Sequence, residues 1–173
     1  MAEKVKVLIS EEELDKRIQE MADQINEDYQ GKEIHLIGVL RGACFFLCEL
    51  AKRITVPVTL DFMLVSSYGS GTVSSGNIKI KKDLDDSIEG KHVILIEDII
   101  DSGKTLSSLG PLLKERGAKT LKLCTLLDKP ERREVDVFVD YVGFQVPDKF
   151  VVGCGLDYAQ KYRNLPYIGE VEL

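Results

Sequence analysis

Residues 93–105 read Val-Ile-Leu-Ile-Glu-Asp-Ile-Ile-Asp-Ser-Gly-Lys-Thr, and this run restricts the chain to few folds. Four aliphatic residues in succession make a strand buried on both faces, as in a parallel sheet covered by helices. Two adjacent carboxylates, Glu97 and Asp98, follow, then two more apolar residues and a third acid, Asp101. Ser102-Gly103-Lys104-Thr105 is a turn, and from Thr105 the pattern is helical. A hydrophobic strand ending in acids and a tight turn builds a site at the carboxyl edge of such a sheet. Free N–H groups at the helix N-terminus suit a phosphate. Carboxylates beside it suit sugar hydroxyls, Mg²⁺ or proton transfer. The ligand this describes carries phosphate at one end and a polyol in the middle. An ordinary strand–turn–helix with solvated acids is the alternative reading.

Gly103-Lys104-Thr105 also matches the end of the nucleoside-triphosphate P-loop. That motif needs a glycine five residues before the second one. Asp98 stands there, so the P-loop reading fails.

A chain of 173 residues is read as a single domain, long enough to bury roughly 70% of its unfolded surface. Its 44% hydrophobic and 30% charged residues are those of a soluble globular protein. A net charge of −6 argues against a nucleic-acid partner, which requires a basic face. Met1–Lys6 reads as leading into polar helix, not an apolar leader, and no apolar run approaches the ~20 residues that span a bilayer. A cytoplasmic protein without membrane contact is expected. Cys44, Cys48, Cys124 and Cys154 show no paired spacing, and only His35 and His92 are available to complete a metal site. Reduced core thiols are expected, with chemistry resting on carboxylates and lysines.

Ser10 and Glu13 form a capping box, and Leu14, Ile18, Met21, Ile25 and Tyr29 trace one helical face ended by Gly31. Strands are expected at Ile34–Leu40, Thr59–Val65, Lys91–Glu97, Thr120–Leu127 and Val137–Val142. Helices are expected at Ala43–Arg53 and Thr105–Arg116, the latter stopped by Gly117. The fold class is therefore α/β, a mainly parallel central sheet flanked by helices. Ser66–Asn77 is long and poor in aliphatic residues, which favours a functional lid carrying Ser67 and Tyr68 over a passive linker. Ile78–Lys82 closes a hairpin with the strand before the lid.

Val93–Thr105 resembles the 5-phosphoribosyl-1-pyrophosphate (PRPP) signature of type I phosphoribosyltransferases, in the form of the hypoxanthine–guanine branch. The resemblance extends through Leu40-Arg41-Gly42, Ser67-Tyr68-Gly69, Leu127-Asp128-Lys129, Pro147–Gly153, Leu156-Asp157-Tyr158 and Arg163, in the family's order. It implies that Asp101, Ser102, Gly103, Lys104 and Thr105 hold the 5-phosphate, although in such loops the lysine often points away. Glu97 and Asp98 then take the ribose hydroxyls or touch a metal. Neighbours on a strand face opposite ways, so these two converge only if the strand has ended there. Leu40, Arg41, Gly42 and Arg163 are implied for pyrophosphate, and Asp157 for Mg²⁺, partly through water.

Asp101 is the candidate general base for the purine N7 proton; capping the phosphate loop or the following helix is its alternative. Lys129, Phe150, Val151 and Asp157 are the residues assigned to the purine. A lysine donates to a 6-oxo group and cannot accept from a 6-amino group, which disfavours adenine. Phe150 taken alone reads more readily as a core residue; its place between Asp148-Lys149 and Val151-Val152-Gly153, as in the family, implies that it stacks on the purine. The resemblance further implies a hood made by the N-terminal segment and 147–173, and a homodimer or homotetramer. It implies conversion of hypoxanthine and guanine to IMP and GMP with release of pyrophosphate. Alternatives are a xanthine-preferring enzyme, or a PRPP-sensing regulator that lacks catalysis. The regulator would want a basic face or an added domain.

Overall fold

The structure, a computed structural model, describes residues 3–67 and 78–173. Its main sheet has the order β4-β3-β2-β5-β6-β7. These strands are β2 (Ile34–Val39), β3 (Val58–Ser67), β4 (Ile78–Lys82), β5 (His92–Ile100), β6 (Thr120–Asp128) and β7 (Tyr141–Gln145). All neighbouring pairs are parallel except β3 and β4, which form the expected hairpin. Helix α1 (Glu11–Asp28) precedes the sheet, α2 (Ala43–Ala51) links β2 to β3, and α3 (Lys104–Glu115) links β5 to β6.

Side-chain alternation on β5 divides the core in two. Ile94 and Ile96 join Phe46, Leu47 and Leu50 of α2 and Ile18 and Ile25 of α1 on one face. Val93 and Leu95 join Leu106, Leu109 and Leu113 of α3 on the other. The continuous aliphatic run is thus explained: each face of the strand meets a helix.

From β2 the chain moves to β3 on one side, and from β5 it moves to β6 on the other. Their adjacent carboxyl ends therefore bound the crevice where ligands bind in open α/β sheets. The β2–β5 ladder stops at Gly38 and Ile96, while β5 runs on beside β6 as far as Ile100 and Asp128. Glu97 and Asp98 consequently lie within the strand, not beyond it. That corrects the expectation of a strand ending at Glu97. The extra pairing comes from β6, whose length the sequence pattern understates by one residue.

Three further expectations shift. The first residues do not lead into a helix: β1 (Lys4–Ile9) pairs with β9 (Ile168–Glu172). Two residues of the short β8 (Val151–Val152) complete this second, antiparallel sheet, in the order β1-β9-β8. Val5, Val7 and Ile9 alternate with lysines at 4 and 6, a strand period that becomes stable only with a partner 160 or so residues away. The last main-sheet strand begins at Tyr141 instead of Val137, because Val137 and Val139 are used to pack against the α3 face. Helix α1 ends at Asp28, and Gly31 makes the turn with φ +74°. The Ser10–Glu13 capping box is present in both directions.

Tyr68 and residues 69–77 of the expected lid lie outside the described residues; the backbone of Ser67 closes β3 opposite Ile78. All four cysteines are free, and Cys48 is exposed, not part of the core. No helix among the described residues is long and apolar enough to cross a membrane.

Candidate active site

The turn after β5 forms a cradle. Glu97, Asp101, Ser102, Gly103 and Thr105 line a cavity of about 240 Å³ over Ile99, Ile100 and Leu106. Gly103 has φ +84°, and a Cβ there would lie 2.8 Å from the Val135 carbonyl oxygen, so only glycine fits. The Ser102 carbonyl accepts the amides of Glu134 and Val135 at 2.9 and 3.0 Å, and its hydroxyl accepts the Lys104 amide at 3.2 Å. Arg133 donates to the Asp101 carbonyl and to Asp128. Segment 133–135 therefore braces the turn from outside. The Lys104 amine does not face the cradle: it pairs with Glu134 at 2.8 Å. Charge in the cradle comes from backbone amides at the start of α3 instead.

Glu97 and Asp98 are buried or half-buried, and they look to different neighbours. Glu97, 9% exposed, lines the cradle. Asp98 lies against the loop after β2, where a Cβ on Gly42 would come within 1.8 Å of its carboxylate. Burial, with the charge of Asp98 beside it, pushes Glu97 well above the ordinary carboxylate range. Burial also raises Asp98, opposed by the Ile99 amide it accepts at 2.8 Å and by the charge of Arg163. The closeness of the two carboxyls works to raise Glu97 and to lower Asp98. Such a pair offers carboxyl oxygens to a diol.

A cationic corner faces the cradle from the other side of Asp98. It begins at the cis peptide between Leu40 and Arg41. Arg41 donates to the Gln160 side-chain oxygen at 2.9 Å, and Arg163 donates to the same oxygen at 3.2 Å. Arg163 also donates to the Gly155 carbonyl at 2.6 Å and pairs with Asp157 at 3.4 Å. The Gly42 carbonyl is packed against Gly155, where a Cβ would sit 2.0 Å away. Gly42 is thus enclosed by Asp98 and by the C-terminal tail, which joins three distant segments at one point.

Lys129 follows β6, and its amide donates to the carbonyl of Ile100, the residue before Asp101. The β5–β6 register therefore sets the start of the Lys129 side chain next to the candidate base. Phe150 is 44% exposed and meets Tyr158 edge-on, with centroids 5.4 Å apart, so it is not a core residue. The Phe150 carbonyl accepts the Val171 amide, which makes that pair the hydrogen-bonded one. By strand alternation the N–H and C=O of Val151 point to the open edge of the hood sheet.

Gln160, Gly155 and Arg133 belong to the site and escaped the sequence reading. Gly155 leaves a trace in the Gly-Cys-Gly run at 153–155; the other two leave none. Among the described residues no cluster of three or more His, Cys, Asp or Glu is placed to hold a metal ion. A larger concavity, about 420 Å³, opens at the amino edge of the sheet around Lys32, Lys91 and Lys119. It lies at the far end of β2 and β5 and contains none of the motif residues.

The cradle, the carboxyl pair and the arginine corner thus meet at the carboxyl edge of one α/β sheet. Residues 9–159 match the phosphoribosyl transferase domain, and the chain belongs to that family. It is 53% identical to a hypoxanthine phosphoribosyltransferase of Salmonella typhimurium, across 100% of this chain and 98% of that protein. It is 57% identical to the hypoxanthine-guanine phosphoribosyltransferase of Bacillus subtilis, across 95% of this chain and 91% of that one. It is also 58% identical to the bifunctional protein TilS/HprT of Listeria monocytogenes, but spans only 25% of that relative's length. The crystal structure of a hypoxanthine-guanine phosphoribosyltransferase from Bacillus anthracis superimposes with a TM-score of 0.93 at 48% identity, covering 99% of this chain and all of that one.

Proposed function

We propose that this chain is a purine-salvage enzyme. It transfers the 5-phosphoribosyl group of PRPP to N9 of hypoxanthine and guanine, giving IMP or GMP and pyrophosphate. The observation that carries this reading is the spacing of functions along one crevice. A backbone cradle, an acid pair, and a two-arginine corner succeed one another in the order of phosphate, ribose and pyrophosphate. Lys129 and the open edge of Val151 stand beside them, ready for a flat ring with a 6-oxo group.

In this reading Ser102, Gly103 and Thr105 hold the 5-phosphate by amides and hydroxyls. Glu97 and Asp98 take the ribose hydroxyls. Arg41 and Arg163 stabilise the charge that grows on pyrophosphate as its bond to the anomeric carbon breaks. The new bond forms from purine N9, and Asp101 accepts or stabilises the proton at N7. Such proton transfer contributes on the order of 10²–10⁴-fold. Lys129 donates to the 6-oxo group, and Phe150 stacks on the ring.

Mg²⁺ fits the donors present. Asp157 at the rim of the corner and the Glu97–Asp98 pair offer hard carboxylate oxygens from separate places, with no three-acid cluster among the described residues, and Mg²⁺ prefers such sparse sites completed by water and phosphate. When bound, the ion supplies charge neutralisation for the departing pyrophosphate. Free thiols suit a reducing, cytoplasmic compartment. A homodimer or homotetramer belongs to this reading, as the resemblance implies.

The test is a pyrophosphate-release assay with PRPP, Mg²⁺ and hypoxanthine, guanine, xanthine or adenine in turn. Release with hypoxanthine and guanine is expected, and none with adenine. Dominant turnover of xanthine would favour the xanthine-preferring alternative. Silence with all four, alongside measurable PRPP binding, would favour a non-catalytic sensor.

A further inference from the structure

Residues 158–161 form a two-residue hairpin: Tyr158 and Lys161 exchange backbone hydrogen bonds at 3.0 and 2.9 Å. Both central residues have positive φ, Ala159 at +51° and Gln160 at +69°. A turn of this kind is relaxed with Asn-Gly or Gly-Gly, and a residue bearing a Cβ is strained there. Something must compensate for glutamine at 160. Its side-chain oxygen accepts from both Arg41 and Arg163, at 2.9 and 3.2 Å, while its amide donates to Asp157 at 2.8 Å. One residue therefore touches each charged group of the corner.

Two guanidinium groups brought together repel each other, and of the two only Arg163 pairs with the Asp157 carboxylate. A neutral oxygen between them satisfies a donor from each and adds no charge of its own. Pyrophosphate offers several charged oxygens to the same donors and displaces it, because charge-assisted bonds are the stronger ones. We propose that Gln160 is a positioning residue: it holds Arg41 and Arg163 side by side and yields them to pyrophosphate. This rests on the assignment of that corner to pyrophosphate.

Gln160→Gly separates this role from folding, since glycine relaxes the turn and keeps the amide to Asp157. The expected result is an unchanged or raised Tm. The KM of PRPP, and of pyrophosphate in the reverse reaction, should rise about tenfold, because two unheld arginines must then be ordered as the ligand binds. The kcat should stay within about twofold and the hypoxanthine KM should not move. Gln160→Glu should raise the pyrophosphate KM further, because a carboxylate competes with the ligand for both arginines. Unchanged KM values in Gln160→Gly, or a purine KM that rises in step, would overturn the proposal. Arg163→Ala, measured in parallel, distinguishes the two failures. If it raises the PRPP KM and Gln160→Gly does not, only the role of Gln160 is lost. If neither has an effect, the pyrophosphate assignment is lost as well.

Discussion

The turn at 101–105 and the corner around Arg41 and Arg163 both offer hydrogen-bond donors to an anion, from opposite sides of Asp98. The first is made of consecutive residues, uses amides fixed by α3, and turns its only lysine outward to Glu134. The second is made of side chains from positions 122 apart in sequence, held by a strained hairpin and by the packing of Gly42 on Gly155. Backbone donors are placed by secondary structure and need no counter-charge. Paired arginines need a partner until the ligand arrives, and Asp157 and Gln160 supply it. A site can thus be preorganised by local geometry at one end and by tertiary contact at the other.

This contrast can be broken by substitution. The largest effect is expected for Asp101→Asn, which keeps the size of the side chain and removes the proposed base: kcat should fall about 10²-fold or more with a smaller change in PRPP KM. Steady-state kinetics check this, and unchanged turnover would strip Asp101 of the role. Gly42→Ala places a methyl group against the Asp98 carboxylate. Overpacking of this sort costs about 1–3 kcal/mol. A lower Tm in thermal melts, and a PRPP KM raised roughly tenfold, are expected; full activity would mean the corner tolerates displacement.

Glu97→Gln tests the buried acid pair. The native pKa of Glu97 is raised, so between the unfolded value and the native one the folded state binds more protons than the unfolded. Stability is then lost as pH rises through that window. Glutamine removes the penalty, so the variant should match the parent Tm near pH 5 and exceed it by a few degrees near pH 8. Melts across pH that run parallel would contradict a raised Glu97 pKa. The smallest effect is expected for Lys104→Gln. Its partner is a largely exposed glutamate, and such pairs are worth less than about 1 kcal/mol. A change in PRPP KM beyond about threefold would show that the lysine swings into the cradle after all.

How far these features were readable differs in the same way. Val93–Thr105 announced strand, turn and helix because each step of that path is set by residues within one or two turns of one another. The position of Glu97 and Asp98 was misjudged since β6, not β5, decides how far the strand extends. The β1 strand was missed because its partner, β9, lies at the other end of the chain. Lys129 and Val151 were named from the resemblance alone; the register with Ile100 and the open strand edge gave them a place.

The sequence by itself determined the doubly covered parallel sheet, the glycine turn and the acids at its carboxyl edge. Hydrophobic period and turn chemistry act over short spans, and a linear pattern records them. The tertiary structure decided how deeply Glu97 and Asp98 are buried, where Lys104 points, and how Gln160 joins Arg41 to Arg163. Those outcomes depend on burial and on donors from distant segments meeting at one place, and no local pattern carries that information.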